Sequence, residues 1–284
     1  MILITGAGGT VGTAVLEELR KLGHKPRAAY HSRSKAEQAK AAGYEAVVLD
    51  FAEPQTLQPA LKGIEAVFLL GTGVIGQSDR ETNVVKAAKA AGVKKLVKLS
   101  VLKAATEDYL FGKMHRAVER EVEASGLAWT FLRPNSFMQN FITYMGQSIK
   151  SEGVFYEPAA DAKISHIDVR DIARVAALAL STAGHEGKAY ELSGPTAFSY
   201  HEAAKTLSNV LGKEIRYIAV SDDDARASMV ATGIPDIYAD YLVDLNRLYR
   251  RGGGAVITST IKDVTGREPI DFEQFARDYR EAFQ

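Results

Sequence analysis

The sequence of 284 residues contains no cysteine, which excludes disulfide bonds, thiolate catalysis and cysteine-ligated metal sites. Its formal net charge is +0, because 35 lysine and arginine residues balance 35 aspartate and glutamate residues. A chain without excess positive charge gives no electrostatic support for a nucleic-acid or anionic-membrane partner. No apolar run is long enough to cross a bilayer, and the first residues lack a basic region followed by a cleavage pattern. We therefore expect a cytoplasmic protein with neither nucleic acid nor membrane as its partner.

Short apolar runs and amphipathic stretches alternate regularly over the first half of the chain. Apolar runs such as MILI and KLVKLS predict buried strands, and stretches such as TAVLEELRKLG predict the helices between them. The glycines that end four of these stretches, as is typical of a helix C-terminus, are Gly23, Gly43, Gly92 and Gly126. This alternation predicts an α/β fold with a doubly wound parallel sheet, whose strands carry their carboxyl ends on one edge.

The pattern changes after Pro134, and from Ser199 onward the predicted elements are mostly helices. We predict a nucleotide-binding domain over residues 1–135, to which residues 160–194 return. The remaining segments, 136–159 and 195–284, are predicted to form a smaller, mainly helical C-terminal cap. A run of three glycines at 252–254 is interpreted as a flexible joint.

A glycine-rich loop, TGAGGTVG at residues 5–12, connects the first predicted strand to the first predicted helix. In such a loop the first glycine permits the tight turn, the second lets backbone approach a pyrophosphate, and the third lets the helix pack closely. The N–H groups at the start of the helix then bind the anion. A glycine triplet can also form a plain turn, but its place between strand and helix indicates a Rossmann-type dinucleotide site. The residues predicted to bind the cofactor here are Gly6, Gly9, Thr10, Val11 and Gly12.

Basic residues follow the second predicted strand, where an NAD site would carry an acidic one. An acidic side chain about 20 residues after the loop would accept a hydrogen bond from the ribose 2′-hydroxyl, whereas here no acid precedes Glu37. Arg33 and Lys35, together with His31 and Ser32, suit the additional phosphate of NADP(H). The alternative is that these residues only begin a solvated helix. We take NADP(H) as the expected cofactor.

Further cofactor contacts are predicted where other strands end. Asp50 can accept a hydrogen bond from an adenine amino group, or it can cap a turn. Asn135, after the sixth predicted strand, is expected to bind the nicotinamide carboxamide or the substrate, or to cap the next helix. The other residues predicted at these strand ends are Phe51, Gly71, Thr72 and Gly73.

The chain resembles the NmrA-like group of atypical short-chain dehydrogenases/reductases over nearly its whole length. The segments that carry the resemblance are TGAGGTVG, VVLDF, NVVKAAKAAGVKKLVKLS, LAWTFLRPNSFMQNF, HIDVRDIA and YELSGPTAFSYHEAAKTLSNVLGKEIRYI. The resemblance implies a Rossmann-type fold that binds NADP(H). Members of the group include bacterial NADPH-dependent quinone oxidoreductases, triphenylmethane dye reductases, and regulators that bind NAD(P) without turning it over. These motifs are specific for the family and not for a substrate.

The wider superfamily that this resemblance implies uses a catalytic serine together with a Tyr-x-x-x-Lys motif. Ser100 ends the fifth predicted strand, where that serine lies. Tyr109 and Lys113 match the spacing that places both side chains on one helical face, although one such match is expected by chance. A tyrosine whose pKa is lowered by a nearby lysine would protonate an alkoxide and so permit the reduction of ketones.

The resemblance also permits a second alignment of the same helix. In the extended short-chain enzymes an acidic residue lies a fixed distance before a strand like WTFLRP, and Glu119 matches it here. Counting back from Glu119 then places the tyrosine and lysine positions of those enzymes at Phe111 and His115. The His-x-x-x-Glu pattern of residues 115–119 resembles the version found in NmrA-like members, which tend to lack the tyrosine. His115 is then expected to hold the nicotinamide ribose or to donate a proton; its other interpretation is an ordinary polar helix residue. Without a tyrosine acid, acceptors that take hydride unaided, such as quinones and cationic dyes, are favoured.

Residues after the sixth predicted strand suit an aromatic substrate. Phe137, Met138 and Phe141 follow at helical spacing and are predicted to line a substrate pocket, although such a stripe is also typical of a helix core. His166, Asp168 and Asp171 invite interpretation as metal ligands or as part of a catalytic triad. No cysteine or second histidine lies near them, so we interpret Asp168 as a helix N-cap and expect no metal.

The sequence thus favours an NADPH-dependent oxidoreductase that transfers hydride to a quinone or a related electron-poor aromatic acceptor. Two alternatives stay open: a non-catalytic NADP(H)-sensing regulator, and a carbonyl reductase that uses Tyr109 and Lys113. The expected partner is a small aromatic or quinone substrate, and the expected assembly is a monomer or a homodimer.

Overall fold

The structure, a computed structural model, describes residues 1–71 and 75–284. Within those residues the chain divides into two compact units. The first unit comprises Met1–Glu107, Gly112–Arg133 and Ile172–Glu191, and the second comprises Asp108–Phe111, Pro134–Asp171 and Leu192–Gln284. This division differs from the predicted domains mainly at residues 160–171, which belong to the second unit.

The strands form one large sheet and one small sheet. In chain order they are β1 (Ile2–Ile4), β2 (Arg27–Tyr30), β3 (Glu45–Val48), β4 (Ala66–Leu69), β5 (Lys95–Leu99), β6 (Ala128–Pro134), β7 (Val154–Glu157), β8 (Lys188–Leu192) and β9 (Arg216–Ala219). The large sheet has seven strands in the order β3-β2-β1-β4-β5-β6-β8, and the neighbouring strands from β3 to β6 pair in parallel. This order and direction are those of a Rossmann-type sheet, and they confirm the predicted α/β class.

The helices follow the strands as the alternating pattern predicts. They are α1 (Thr10–Lys21), α2 (Arg33–Ala41), α3 (Pro54–Leu61), α4 (Gln77–Ala90), α5 (Leu110–Ser125), α6 (Asn140–Thr143), α7 (Gly146–Glu152), α8 (Val169–Ser181), α9 (Tyr200–Leu211), α10 (Asp222–Ala231), α11 (Asp236–Arg250), α12 (Thr260–Thr265) and α13 (Phe272–Asp278). The glycines predicted to end α1, α2, α4 and α5 all have positive φ, as a left-handed helix end requires.

The core of the first unit lies between the sheet and its helices. Val67 and Leu96 of adjacent strands are fully buried, and they belong to one cluster with Val85 of α4 and Val118 of α5. The apolar sequence runs become strands because both of their faces are covered, as in other parallel sheets. Because neighbouring strands run in the same direction, the loops that follow β1 to β6 emerge at one edge of the sheet, where ligands of this fold bind.

The second unit is mostly helical, and its core is aromatic. Phe141, Phe155, Tyr200 and Phe275 belong to one buried cluster. Two short helices, α6 and α7, follow Pro134. The small parallel sheet pairs β7 with β9, and β9 was not predicted.

The three glycines at 252–254 do not form a flexible joint. Gly253 and Gly254 are buried, and a Cβ atom on Gly254 would lie 2.6 Å from Cδ1 of Tyr249. The carbonyl oxygen of Gly254 accepts hydrogen bonds from Asn135 Nδ2 at 2.8 Å and from Ser165 N at 2.9 Å. Gly253 and Gly254 therefore permit close packing and do not provide freedom of movement.

In the part of the chain that the structure describes, no helix combines the length and the hydrophobicity that a membrane span would need.

Replacement of Gly254 by alanine should destabilise the second unit. The added methyl group would press on the buried ring of Tyr249, and overpacking of this kind costs about 1–3 kcal/mol. Gly146→Ala is the matched control, because its Cβ would meet only the carbonyl of Phe141 at 3.5 Å, an ordinary contact. Urea denaturation of both variants measures the difference. Equal stabilities would show that the segment around Gly254 is as mobile as the sequence suggested.

Candidate active site

The glycine loop after β1 has the close backbone packing that its sequence predicts. Gly6 has a φ of 62°, and its carbonyl oxygen accepts a hydrogen bond from Gly9 N at 3.0 Å. A Cβ atom on Gly12 would clash with that same carbonyl, so the first turn of α1 can approach the loop only with glycine there. Gly9 is the N-cap of α1, and no side chain among the described residues caps this helix.

This uncapped helix start fits the pyrophosphate of a dinucleotide. The first N–H groups of any α-helix lack partners within the helix, and here no side-chain oxygen takes their place. The side chain of Val11 is buried and that of Thr10 is exposed, so each would offer the anion its backbone N–H. The loop therefore fits the group that the sequence predicted for it.

Lys35, one of the basic residues after β2, lies beside this loop. A Cβ atom on Gly8 would lie 3.7 Å from Cδ of Lys35 and 3.3 Å from the ring of Tyr30. Ser32 caps α2 by accepting a hydrogen bond from Lys35 N at 3.4 Å. The side chains of Arg33 and Lys35 are exposed, and neither forms an ion pair within residues 1–71 and 75–284. Lys35, next to a loop that fits a pyrophosphate, and Arg33, two residues before it on the same helix, are uncommitted cations that suit a second phosphate, that of the 2′-position of NADP(H).

His31 and Asp50, at the ends of the adjacent strands β2 and β3, are paired with each other. His31 Nε2 lies 3.1 Å from Asp50 Oδ2, and Asp50 Oδ1 accepts a hydrogen bond from Ala52 N at 2.8 Å. The carboxylate thus forms a local turn, the alternative noted for it in the sequence. The carbonyl of Phe51 accepts a hydrogen bond from Asn83 Nδ2 at 3.1 Å.

Residues of β5, α4 and α5 form a buried ionic cluster. Lys98 of β5 and Glu81 of α4 are both fully buried and form an ion pair. Lys98 Nζ also contacts Nδ1 of His115 at 3.2 Å, and Glu81 Oε1 accepts hydrogen bonds from Gln77 Nε2 at 2.8 Å and from Gly71 N at 3.2 Å. Burial, together with the charge of Lys98, holds the pKa of His115 well below its ordinary value. His115 is therefore neutral at physiological pH.

The structure explains why residue 71 is a glycine, which the sequence alone did not. A Cβ atom at this position would clash with the carboxylate of Glu81. At Gly71, the space that a side chain would need is thus occupied by a buried carboxylate. Thr72 and Gly73, which were predicted alongside it, lie outside the described residues.

A second buried cluster surrounds Glu119, one turn after His115 on α5. Glu119 Oε1 accepts hydrogen bonds from Ser100 Oγ at 2.7 Å and from Arg133 Nε at 2.9 Å, and Arg133 Nη2 lies 2.6 Å from Oε2. Burial alone would raise the pKa of Glu119, but the bonds from Arg133 and Ser100 outweigh it and hold the pKa below its ordinary value. The hydroxyl hydrogen of Ser100 is thus committed to Glu119.

The predicted pair Tyr109 and Lys113 does not share a helical face. Tyr109 precedes the first residue of α5 and is 3% exposed, whereas Lys113 is exposed on the first turn of the helix. The spacing of four residues aligns side chains only when both positions are helical. Phe111, at the position of the other alignment, packs edge-to-face on Tyr238 and Tyr241 within the second unit.

Asn135 is committed to the framework of the second unit. Its Nδ2 donates to Ser165 Oγ at 2.9 Å and to the Gly254 carbonyl at 2.8 Å, and its Oδ1 accepts from Ser136 N at 2.9 Å. Both amide hydrogens are therefore used inside the protein, and neither is left for a carboxamide. It does not cap a helix either, because α6 begins at Asn140.

Two of the three predicted pocket residues are part of the core. Met138 and Phe141 are 0% exposed, and Phe141 packs on Phe155, with ring centroids 5.8 Å apart. Helix α6 turns its apolar side chains inward, so the helical stripe serves the core, the alternative noted above. Phe137 is only partly buried and stays a prediction as a substrate contact.

Asp168 caps a helix, and His166 lies in the core. Asp168 Oδ1 accepts a hydrogen bond from Arg170 N at 2.8 Å and so caps α8, as predicted. His166 is buried among aromatic rings, and this burial lowers its pKa to about 3. Within the described ranges no group of histidine and carboxylate side chains could hold a metal ion.

Sequence analysis missed Glu81 and Lys98, the two residues that surround His115 with charge. The available signal was a lysine in the middle of KLVKLS, an apolar strand at the centre of the sheet. Charged residues in such strands are almost never fully buried unless they are paired. A search for the paired acid on the helices that flank β5 would have found Glu81 of α4.

Replacement of Glu119 by glutamine should destabilise the protein by about 3 kcal/mol, because the buried Arg133 would lose most of its compensation. The control is Glu123→Gln on the same helix, whose partly exposed ion pair with Arg116 is worth at most about 1 kcal/mol. Urea denaturation of both variants measures the two losses.

The pH dependence of Glu119→Gln gives a second check. Since the pKa of Glu119 is lower in the folded chain than in the unfolded chain, its stabilising effect is present above the unfolded pKa and is lost as the pH falls. Wild-type protein should therefore lose more stability than the variant on acidification. Parallel pH profiles would contradict this assignment.

The chain is similar in sequence to known NAD(P)H-dependent reductases. A model of the NmrA-like family matches residues 1–275. The chain is 37% identical to an NAD(P)H azoreductase of Xenophilus azovorans over 284 residues, which cover 100% of this chain and 99% of that protein. It is 34% identical over 269 residues to quinone oxidoreductase 2 of Escherichia coli, with 94% of each chain covered.

A solved structure gives the same result for the fold. The NADPH-dependent quinone oxidoreductase of Escherichia coli, in complex with NADPH, superposes with a TM-score of 0.88 at 31% sequence identity, covering 99% of this chain and 100% of that one. The resemblance inferred from the sequence motifs is confirmed, and the chain belongs to the NmrA-like family.

Proposed function

We propose that this protein is an NADPH-dependent reductase that transfers hydride to a quinone or a related electron-poor aromatic acceptor. Its relatives show that the protein is an NAD(P)H-dependent oxidoreductase, related to quinone and azo-dye reductases, and that its cofactor is NADP(H). When bound, NADPH supplies the hydride. The choice of acceptor is our proposal, and it rests on what the chain itself contributes.

The observation that carries the proposal is the face of α5 that meets β5. It bears His115 and Glu119 and no tyrosine, since Tyr109 lies before the helix and Phe111 has no hydroxyl. Ser100 gives its hydrogen to Glu119. Neither member of the usual serine–tyrosine pair is thus arranged to protonate an alkoxide, which the reduction of a plain ketone requires.

Quinones and cationic dyes do not need that acid. The anion that forms when a quinone takes hydride is delocalised, and a cationic dye becomes neutral when it takes hydride. For such an acceptor the protein has to bind, orient and exclude water. In the first unit, the glycine loop would bind the pyrophosphate, and Arg33 and Lys35 the 2′-phosphate. His115, as a neutral imidazole with one N–H, would offer a hydrogen bond to an oxygen of the ribose or of the acceptor.

The test is consumption of NADPH by purified protein with simple quinones, azo and triphenylmethane dyes, and plain ketones. We expect turnover with quinones or dyes and none with ketones, and Tyr109→Phe should retain the wild-type rate. Ketone reduction that disappears in Tyr109→Phe would instead identify a carbonyl reductase. Absence of turnover with every acceptor, while NADPH still binds, would identify a cofactor-sensing regulator.

The cofactor preference has its own test at Arg33. Replacement by alanine removes a charge-assisted contact to phosphate worth about 1.5–3 kcal/mol, so the Kd of NADPH should rise roughly 10-fold to 150-fold. The Kd of NADH should stay unchanged, because NADH lacks the 2′-phosphate. Lys40→Ala, at the other end of α2, is the control for loss of one positive charge. A loss of affinity that is equal for both cofactors would refute the assignment of Arg33.

A further inference from the structure

Lys98 and Glu81 form a buried ion pair to which the proposed reaction gives no direct role. We propose that Lys98 is a positioning residue that fixes the imidazole of His115 in one neutral tautomer, with its hydrogen on Nε2. That His115 serves the reaction rests on the proposed function. Its tautomer, in contrast, is a property of the protein alone and can be measured without cofactor or acceptor.

The hydrogen bonds of Lys98 determine the tautomer. A lysine ammonium has three hydrogens and no lone pair, so it can only donate. Its three neighbours are the carboxylate of Glu81, the carbonyl of Leu99 at 3.1 Å and Nδ1 of His115 at 3.2 Å. Nδ1 must therefore accept, and a neutral imidazole that accepts at Nδ1 carries its hydrogen on Nε2.

The charges around His115 also prevent a second proton from binding at Nδ1. On β5 it faces the ammonium of Lys98, and Glu81 of α4 is already paired with that ammonium. On its own helix, Glu119 is engaged by Ser100 and Arg133, and Arg116 is paired with Glu119 and Glu123. No nearby carboxylate among the described residues is thus left to stabilise an imidazolium.

The register between β5 and α5 produces this arrangement. Lys98 lies on β5 and Ser100 directly follows the last residue of that strand, so the two are two positions apart on the same side of the chain. His115 and Glu119 are four apart on a helix and lie on one face. The two pairs meet in order: Lys98 contacts His115, and Ser100 contacts Glu119. The ammonium of Lys98 is costly to desolvate, and in its buried position it donates a hydrogen bond to Nδ1 of His115.

The chemical consequence is that His115 offers a hydrogen-bond donor and not a base. With Nδ1 occupied by Lys98, only Nε2 can face a ligand, and it does so as an N–H group. As a whole residue His115 is 9% exposed, whereas Lys98 and Glu81 are 0% exposed, so His115 is the one residue of the three with accessible surface. An oxygen with lone pairs, such as a ribose hydroxyl or a quinone carbonyl, is the partner that this group suits.

Long-range proton–nitrogen correlation spectra of protein with ¹⁵N-labelled histidine test the proposal. His115→Gln identifies the signals of His115, and His166, buried and without a partner on Nδ1 in the described structure, serves as an internal reference. In wild-type protein we expect His115 to show the Nε2–H tautomer alone, unchanged between pH 5 and pH 8. Hydrogen on Nδ1, or titration within that range, would overturn the proposal.

Removal of the ammonium tests the role of Lys98. In Lys98→Met, and in the charge-balanced double variant Lys98→Met with Glu81→Gln, His115 should show a mixture of tautomers or begin to titrate, while His166 stays unchanged. The double variant guards against misfolding from an unpaired Glu81. The control is Lys95→Met with Glu186→Gln, which removes an ion pair from the other end of β5.

An unchanged Nε2–H tautomer in a folded Lys98 variant would refute the positioning role. The spectra distinguish this failure from failure of the proposed function, because they are recorded without cofactor or acceptor. Turnover by the same variants then connects the tautomer of His115 to the proposed function. Loss of the Nε2–H tautomer should lower kcat with the acceptors that wild-type protein reduces.

Discussion

The buried carboxylate of Glu119 is the constraint on which the rest of the candidate site depends. Its bonds to Ser100 and Arg133 connect the ends of β5 and β6 to the middle of α5. Because two strands and a helix meet at one carboxylate, α5 can neither rotate nor slide along β5 without breaking a charged hydrogen bond in the core. The position of His115, one helical turn away, follows from that attachment.

The two buried clusters have different effects on the protein. Around Glu119 the charges hold secondary-structure elements in register, and around Lys98 they orient a single ring. Both incur the cost of desolvation, which apolar residues of the same size would avoid. The benefit that apolar residues cannot provide is direction, since a hydrogen bond specifies which atom of a partner it meets. A site that must present one N–H group needs such direction more than it needs additional stability.

Much of the fold could be predicted because it depends on local patterns. The alternation of apolar runs and amphipathic stretches, and the glycines at helix ends, are effects of neighbouring residues and appear directly in the order of the chain. The glycine loop was recognisable for the same reason. The strand β9 is only four residues long, and its pairing with β7 is a contact between distant segments. Neither periodicity nor propensity reports such a contact.

The same limit explains which parts of the site were missed. Asn135 looks available in the sequence, and only the fold shows that Ser165 and Gly254 use both of its amide hydrogens. Met138 and Phe141 have the spacing of a pocket wall, but that spacing is identical for a core. The burial of Lys98 depends on Glu81, 17 residues earlier on another element. Partners that distant in the chain are visible only after folding.

The absence of a side chain at Gly71 limits which substitutions this protein can accept during evolution. Glu81 occupies the volume that a Cβ atom would need, and Glu81 in turn compensates Lys98. A larger residue at position 71 would displace the carboxylate and leave a cation alone in the core. Positions 71, 81 and 98 are therefore coupled, because a substitution at one changes the packing or the charge balance of the others. In related sequences these three positions should vary as a set, although residue 71 lies in the loop after β4, residue 81 on α4 and residue 98 on β5.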